Sequence, residues 1–67
     1  MFYVYLLRSK KSKDQLYTGY TTDLRERFKK HNQGFVQSTK PYSPWEVIFY
    51  EAYRNKSDAK RREEYLK

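Results

Sequence analysis

Two short apolar runs open the chain, with a polar segment between them. The first run, FYVYLL, is rich in aromatic and branched residues and predicts a strand at about residues 2–8. The second, within QLYTGYT, predicts a strand at about residues 15–20. The intervening SKKSKD is polar and typical of a turn. Because neighbouring strands with a short connection pair antiparallel, these segments predict a β-hairpin.

The segment after the hairpin, TTDLRERFKKHNQG, has the spacing of an amphipathic helix at about residues 22–33. Asp23 is the predicted N-cap, and Glu26 three residues later completes a capping box. Gly34 suits the end of this helix. The side chains on its apolar stripe are Leu24, Phe28 and His31.

The second half of the chain predicts a loop, a strand and another helix. Residues 35–44 contain two prolines and no regular period, which is typical of a loop. WEVIFYEAY, residues 45–53, alternates and predicts a strand. Its two predicted faces are Trp45, Val47 and Phe49 on one side, and Glu46, Ile48 and Tyr50 on the other. SDAKRREEYLK, residues 57–67, predicts a helix capped by Ser57 or Asp58. The order β-β-α-β-α predicts an α+β fold with a three-stranded antiparallel sheet flanked by helices.

Composition limits the class of protein. A chain of 67 residues forms one domain with a small core. It contains no cysteine, which excludes disulfides and thiolate metal sites and suits a cytoplasmic location. No apolar run approaches the ~20 residues of a membrane span, so no membrane association is expected. Fifteen Lys and Arg against eight Asp and Glu give a net charge of +7, which favours a polyanionic partner such as nucleic acid.

The positions of the tyrosines suggest a site on the hairpin. If the hairpin turns at about residue 11, Tyr5 lies directly opposite Tyr17, and the two hydroxyls converge on one face. A shift of one residue would separate them. The alternative is that these tyrosines only pack, since aromatic residues are common in strands. Gly19 lies within the second strand, where a glycine often marks a bulge or the close approach of a ligand to the backbone.

Charged positions on the two helices add candidate chemistry. Arg27 and His31 are four residues apart and share a helix face. Glu63 falls on the inward stripe of the last helix, although a buried carboxylate is unfavourable unless it is paired or binds a metal. The other positions of that stripe are Ala59, Arg62 and Leu66. Each candidate has a structural alternative: His31 as a half-buried packing residue, Arg27 as a surface charge, and Glu63 as half of an ion pair.

Taken in order, these segments resemble the GIY-YIG nuclease domain. YVY at residues 3–5 and YTG at residues 17–19 resemble its two tyrosine signatures, and an arginine ten residues after the second tyrosine and a glutamate on the last helix follow. The likeness covers nearly the whole chain, and the small stand-alone bacterial members are the best match. Tyr3 and Val4 stand where the first signature has Gly and Ile. The resemblance implies the GIY-YIG endonuclease fold and a metal-dependent endonuclease.

The resemblance also implies a role for each matching residue. Tyr17 is expected to be the general base that activates a water, with Tyr5 orienting the water or the phosphate, and the two roles are exchangeable. Arg27 would stabilise charge on the phosphate oxygens, and His31 is a candidate proton relay. Glu63 would hold one Mg²⁺ or Mn²⁺ ion. The residues expected to contact nucleic acid are Gly19, Lys29, Lys30 and Lys40, with Lys10, Lys11 and Lys13 as further contacts to its backbone.

The expected substrate is DNA, branched DNA included, or RNA, with a role in DNA repair or recombination. The alternative is a non-catalytic DNA- or RNA-binding module of the same fold. Many relatives continue past the last helix and carry an active-site asparagine there, whereas this chain ends at Lys67. We therefore expect one GIY-YIG domain over residues 1–67, trimmed or naturally short after that helix, with weak or lost activity. Neither the substrate preference nor the oligomeric state follows from the sequence.

Overall fold

A central strand with one neighbour on each side forms the sheet. The computed structural model describes all of residues 1–67. The elements in chain order are β1 (Phe2–Ser9), β2 (Leu16–Thr21), α1 (Leu24–Asn32), a short 3₁₀ helix (Lys40–Tyr42), β3 (Trp45–Tyr53) and α2 (Lys56–Leu66). The strand order is β2-β1-β3, and both pairings are antiparallel. The predicted α+β fold with its three-stranded antiparallel sheet is therefore confirmed.

The two α-helices cover opposite faces of the sheet. Alternation along β1 places Tyr5 and Leu7 on one face, in the buried core that packs against α1. Val4 points to the other face and is also fully buried. Its partner across the sheet is Glu51, whose Oε1 lies 2.9 Å from Nε of Arg62 in α2. This ion pair places α2 on the Val4 face, so the sheet separates the two helices.

The hairpin register differs from the predicted one by two residues. Tyr5 lies opposite Gly19, and Tyr17 lies opposite Leu7. The turn is centred one residue later than predicted, because the Ser9 hydroxyl accepts hydrogen bonds from two backbone N–H groups of the turn. A shift of two residues leaves every side chain on its own face, and the Tyr5 and Tyr17 ring centroids are 6.3 Å apart. The predicted direct pairing is wrong, and the predicted shared face is confirmed.

A bulge in β3 interrupts the predicted alternation. Leu6 pairs with Phe49 while Leu7 pairs with Val47, so Ile48 is an extra residue on this strand. As a result Phe49 turns to the α2 face, whereas Val47 stays on the α1 face and packs against the core. The predicted alternation of β3 holds before the bulge and is wrong after it.

The first helix begins with a side-chain cap, whereas the second has no side-chain capping hydrogen bond. Asp23 caps α1 as predicted, because its Oδ1 accepts a hydrogen bond of 3.1 Å from the Glu26 N–H. The reciprocal half of the capping box is replaced, since the Asp23 N–H donates to a threonine hydroxyl two residues earlier. The N-cap of α2 is Asn55, which has extended backbone angles. The predicted caps Ser57 and Asp58 are therefore wrong, because both residues already lie inside the helix.

Gly19 leaves the space that the Tyr5 ring needs. The β1–β2 ladder passes through this position without a bulge. A Cβ atom at position 19 would overlap with the Cζ and Oη atoms of Tyr5. Gly19 is buried beneath the ring, so the structure gives it a packing role, and its contact with nucleic acid stays a prediction.

We expect Gly19→Ala to destabilise the fold by about 1–3 kcal/mol, because the added methyl group displaces the Tyr5 ring from a packed position. Gly34→Ala is the matched control: Gly34 has a φ of 80°, and an added Cβ would meet no atom closer than 3.5 Å. Gly34→Ala should therefore lower the free energy of unfolding by about 1 kcal/mol, through the backbone conformation alone. Urea unfolding measures both losses, and NMR of the Tyr5 ring should change only in Gly19→Ala. An unchanged Tyr5 signal in that variant contradicts the steric argument.

Candidate active site

The candidate site is built around the side chain of Tyr5. It extends from the central strand across Gly19 and is fully buried. Its hydroxyl oxygen lies 2.9 Å from Nε2 of His31, the buried residue of α1. The other ring nitrogen, Nδ1, lies 2.8 Å from the hydroxyl of Thr39, which donates to the Val36 carbonyl at 3.2 Å. Three buried polar side chains thus form one continuous chain of hydrogen bonds.

Burial and a neighbouring positive charge keep the Tyr5–His31 pair neutral. Burial raises the pKa of Tyr5 to about 12, and the Arg27 guanidinium opposes this shift only in part. Burial, followed by the charge of Arg27, lowers the pKa of His31 to about 4. At pH 7 the phenol and the imidazole are therefore both uncharged.

Tyr17 occupies the open side of the same cluster. Its ring centroid lies 6.3 Å from that of Tyr5 and 4.9 Å from that of His31. The residue is half-buried. The Tyr5 hydroxyl is committed to His31, whereas the Tyr17 hydroxyl makes no hydrogen bond to the rest of the chain. Of the two signature tyrosines, Tyr17 is therefore the one whose hydroxyl is available to a water or a substrate.

Arg27 brings positive charge to the cluster. It lies one helical turn before His31 on α1 and is half-buried. Hydrogen bonding by its guanidinium, followed by its charge, lowers the pKa of Tyr5, and its charge also lowers the pKa of His31. Its Nε is buried and has no hydrogen-bond partner. Leaving such a donor unpaired costs about 1–3 kcal/mol, so this N–H is suited to an acceptor from outside the chain, such as a phosphate oxygen.

Glu63 approaches the cluster from the opposite face of the sheet. The end of α2 lies beside the edge strand β2, where the last residues of the chain line a cleft with Tyr17. The Glu63 carboxylate is near enough to contribute to the raised pKa of Tyr5. Its side chain is 16% exposed, whereas Glu64 points to solvent. The predicted inward position of Glu63 is confirmed.

The chain offers a single carboxylate for a metal ion at this place. No three His, Cys, Asp or Glu side chains come together in a group that would hold a metal. Nζ of Lys67 lies 3.3 Å from Oε2 of Glu63, so the ion-pair alternative for Glu63 is present. The Lys67 side chain is 61% exposed, so this carboxylate already accepts a cation from the solvent side. Such an oxygen donor fits Mg²⁺, which keeps several waters and uses only one or two protein carboxylates.

Most of the positive charge has no acidic partner. Four of the fifteen Lys and Arg side chains form ion pairs with Asp or Glu, which leaves eleven unpaired. Lys30 lines a cleft together with Arg27. Lys29 is exposed on the same helix, and Lys40 lies against Gly34. The exposed lysines of the hairpin turn are Lys10, Lys11 and Lys13. The structure therefore joins Lys30 to the Arg27 side of the cluster, whereas the other lysines are spread over the surface.

Thr39 is the site residue that sequence reasoning did not find. It lies in the loop between α1 and β3 and is only 2% exposed. Its carbonyl accepts a hydrogen bond of 2.9 Å from the indole N–H of Trp45, which holds the loop against the core. No local pattern marks this threonine, because its contact with His31 depends on the path of a loop that has no period. Its one signal is its place in the STK segment, to which the resemblance attached no role.

The fold and the tyrosine cluster together define a class of protein. A family model described as the GIY-YIG catalytic domain matches residues 1–67. The chain belongs to the GIY-YIG family, as the two tyrosine signatures predicted. Because this is a family of endonucleases, the match indicates a nuclease-type function that acts on nucleic acid. None of the helices is both long enough and apolar enough to cross a membrane.

The chain is also similar to bacterial proteins named UPF0213. It is 40% identical over 68 residues to a UPF0213 protein of Clostridium perfringens, with 100% of this chain and 71% of the relative covered. It is 39% identical over 66 residues to UPF0213 proteins of Staphylococcus haemolyticus and Staphylococcus aureus, with 97% of this chain and 78% of each relative covered. No solved structure matches the chain. These relatives are small stand-alone GIY-YIG proteins, as expected, and their names assign no substrate.

We expect an NMR titration to give the His31 ring a pKa of about 4, below the usual 6.5, and this is the only histidine in the chain. Because the unfolded chain binds this proton near pH 6.5 and the folded chain only near pH 4, protonation favours unfolding. The contribution of His31 to the free energy of unfolding is therefore complete above pH 6.5 and declines as the pH falls towards 4.

His31→Gln is the control for this titration, since it cannot take up the proton. Its free energy of unfolding should change little between about pH 6.5 and 5, above the range in which most carboxylates titrate. A measured pKa at or above 6.5 in the parent protein contradicts the buried, neutral imidazole.

Proposed function

We propose that this protein is a metal-dependent endonuclease that hydrolyses phosphodiester bonds in DNA. The observation that carries the proposal is the arrangement of three polar groups around the buried Tyr5–His31 pair. Tyr17 has a hydroxyl without a partner, Arg27 has a buried N–H without a partner, and Glu63 has a half-buried carboxylate. These are a proton acceptor, an anion-binding donor and a cation ligand, the three groups that phosphodiester hydrolysis requires.

In the proposed reaction, Tyr17 accepts a proton from a water molecule. It does so as the phenolate, since only the deprotonated oxygen can take up the proton. The resulting hydroxide attacks phosphorus, and the bond from phosphorus to the leaving oxygen breaks. Arg27 donates its free N–H to a non-bridging phosphate oxygen as negative charge develops there. Glu63 would hold a divalent ion, whose positive charge would stabilise the leaving oxygen.

Tyr5 and His31 have a supporting role in this proposal. The Tyr5 residue is fully buried, so its hydroxyl does not touch the water. With a pKa of about 12 for Tyr5 and about 4 for His31, neither group exchanges a proton readily at neutral pH. Their hydrogen bond instead holds both rings against Tyr17. These observations support Tyr17 rather than Tyr5 as the proposed base, with His31 as a structural partner rather than a proton relay.

The positive surface suits a nucleic-acid backbone. Lys30 shares a cleft with Arg27 and would contact a phosphate next to the scissile one. The other unpaired cations, Lys29 and Lys40 among them, would contribute sequence-independent attraction. We propose DNA with branches as the preferred substrate and DNA repair or recombination as the setting, with Mg²⁺ or Mn²⁺ as the ion.

The second candidate is a DNA- or RNA-binding module without catalysis. One observation favours it: Lys67 already neutralises the Glu63 carboxylate, at 3.3 Å between Nζ and Oε2. If this ammonium group outcompetes a divalent ion, the positive surface still binds nucleic acid. No metal ion then stabilises the negative charge on the leaving oxygen. The two candidates therefore differ in cleavage and agree in binding.

We expect the parent protein to cut branched DNA slowly with Mg²⁺ or Mn²⁺ and not at all with EDTA. Tyr17→Phe removes only the base and should lower the rate about 10²–10⁴-fold. Arg27→Ala removes one transition-state donor and should lower it about 10²–10³-fold. Glu63→Gln keeps the side-chain volume and removes the charge, so it should abolish the response to metal. Gel electrophoresis of labelled branched, nicked and linear substrates measures all three effects.

Each variant is matched by the same substitution at an exposed residue outside the site. Tyr65→Phe changes a tyrosine that is 78% exposed, and Arg25→Ala and Glu64→Gln change exposed residues next to or near the site residues. These controls should cut at close to the parent rate. If the three site variants also cut at the parent rate, the nuclease proposal fails.

Binding and cleavage measured together separate the second candidate from the first. We expect the affinity for DNA in EDTA to fall steeply as salt increases, because each lysine or arginine that contacts a phosphate releases counterions. Fluorescence anisotropy between about 50 and 200 mM salt measures this slope. DNA affinity that falls steeply with salt, without cleavage by the parent protein under Mg²⁺ or Mn²⁺, supports the binding module. DNA affinity that does not depend on salt contradicts both candidates.

A further inference from the structure

We propose that Thr39 is a positioning residue: it holds His31 in the tautomer with the proton on Nδ1, and so fixes the direction of the hydrogen bond from Tyr5. The expected effect on catalysis rests on the proposed nuclease function. The tautomer itself does not, because it follows from the hydrogen bonds of three buried side chains.

The hydrogens available along this chain of hydrogen bonds determine the tautomer of His31. Thr39 has one hydroxyl hydrogen, and the Val36 carbonyl, 3.2 Å from Oγ1, accepts it in addition to the backbone N–H groups of Thr39 and Lys40. With that hydrogen donated to Val36, the 2.8 Å contact between Oγ1 and Nδ1 of His31 requires the hydrogen to lie on Nδ1. A neutral imidazole carries one N–H, so Nε2 has a free lone pair. Tyr5, at 2.9 Å from Nε2, must therefore donate its hydroxyl hydrogen.

Arg27, on the other side of the Tyr5 hydroxyl, favours the same tautomer. The Arg27 guanidinium, whose N–H groups only donate, lies beside the Tyr5 hydroxyl. If Tyr5 pointed its hydrogen at Arg27, two donors would face each other next to a positive charge. With the hydrogen directed at His31, the oxygen lone pairs of Tyr5 face the cation instead. Both arguments select the same tautomer, and the bond directions run from Arg27 towards the Val36 carbonyl.

This direction matters for the group that contacts the phosphate. In the other tautomer, His31 would donate from Nε2 to Tyr5, and the Tyr5 hydrogen would turn towards Arg27 and push the guanidinium away. Thr39 would thus act on Arg27 through two intermediate side chains. Its own position is secured by its backbone, because its carbonyl accepts the indole N–H of Trp45 at 2.9 Å, and a change of side chain leaves that bond in place.

Two substitutions test the role of the hydroxyl. Thr39→Ser keeps it, and Thr39→Val replaces it with a methyl group of nearly the same shape. Long-range ¹H–¹⁵N correlation spectra report which ring nitrogen carries the proton, and the single histidine makes the assignment unambiguous. We expect Nδ1–H in the parent protein and in Thr39→Ser, and Nε2–H in Thr39→Val. Proton placement on Nε2 in the parent, or an unchanged tautomer in Thr39→Val, overturns the proposal.

The rate of DNA cleavage tests whether the Thr39 hydroxyl matters for catalysis. We expect Thr39→Val to cut at least about tenfold more slowly than Thr39→Ser, the range for a residue that orients an active-site group. Equal rates, with the tautomer switched, overturn the claim that the direction matters for catalysis. If Thr39→Val does not fold, the parent and Thr39→Ser spectra still decide the tautomer. If the parent protein does not cut DNA, the nuclease function fails while the spectra test the role of Thr39 separately.

Discussion

The side chain of Tyr5 has to be buried at the centre of a very small domain, and the rest of the structure follows from this constraint. A buried phenol needs room for its ring and a partner for its hydroxyl, because an unpaired buried hydroxyl costs about 1–3 kcal/mol. Gly19 supplies the room on the neighbouring strand, and His31 supplies the partner from α1. This hydrogen bond helps to fix the position of α1, and with it that of Arg27, together with the packing of Leu24 and Phe28 against the core.

The core and the candidate site are consequently the same group of atoms. The buried apolar cluster consists of Tyr5, Leu7 and Trp45, and the buried polar residues include His31 and Thr39. A domain of this size buries only about 60% of its unfolded surface, so a few residues must serve both stability and function. Changes at Tyr5 or His31 therefore alter folding and chemistry together. Tyr17 and Glu63 are more informative targets, because both remain half-buried at the edge of the cluster.

The edge strand β2 explains how two faces of a sheet meet at one site. Tyr5, Tyr17, His31 and Arg27 come from the α1 side, whereas Glu63 comes from α2 on the other side. A carboxylate from the far face can approach the cluster only around an edge, and the end of α2 lies beside β2 next to Tyr17. The Glu63 carboxylate and the Tyr17 hydroxyl are thus supplied by α2 and β2 respectively. Their separation is set by the packing of α2, which the Arg62–Glu51 ion pair anchors.

The sequence by itself determined the features that depend on residues close in the chain. The order of strands and helices, the Asp23 cap, the shared face of Tyr5 and Tyr17, the pairing of Arg27 with His31 on one helix face, and the inward position of Glu63 all follow from local periodicity. Each element has its own period of two or about 3.6 residues, and that period is written in adjacent side chains. The tyrosine signatures likewise identified the family correctly.

Only the tertiary structure decided how these elements meet. The two-residue shift of the hairpin depends on a Ser9 hydroxyl that organises the turn, and the bulge at Ile48 depends on how β3 fits against β1. The contact of Thr39 with His31 depends on a loop whose path is held by Trp45. The reason is the same in each case: these positions are fixed by hydrogen bonds and packing between residues far apart in the chain, for which local periodicity carries no signal.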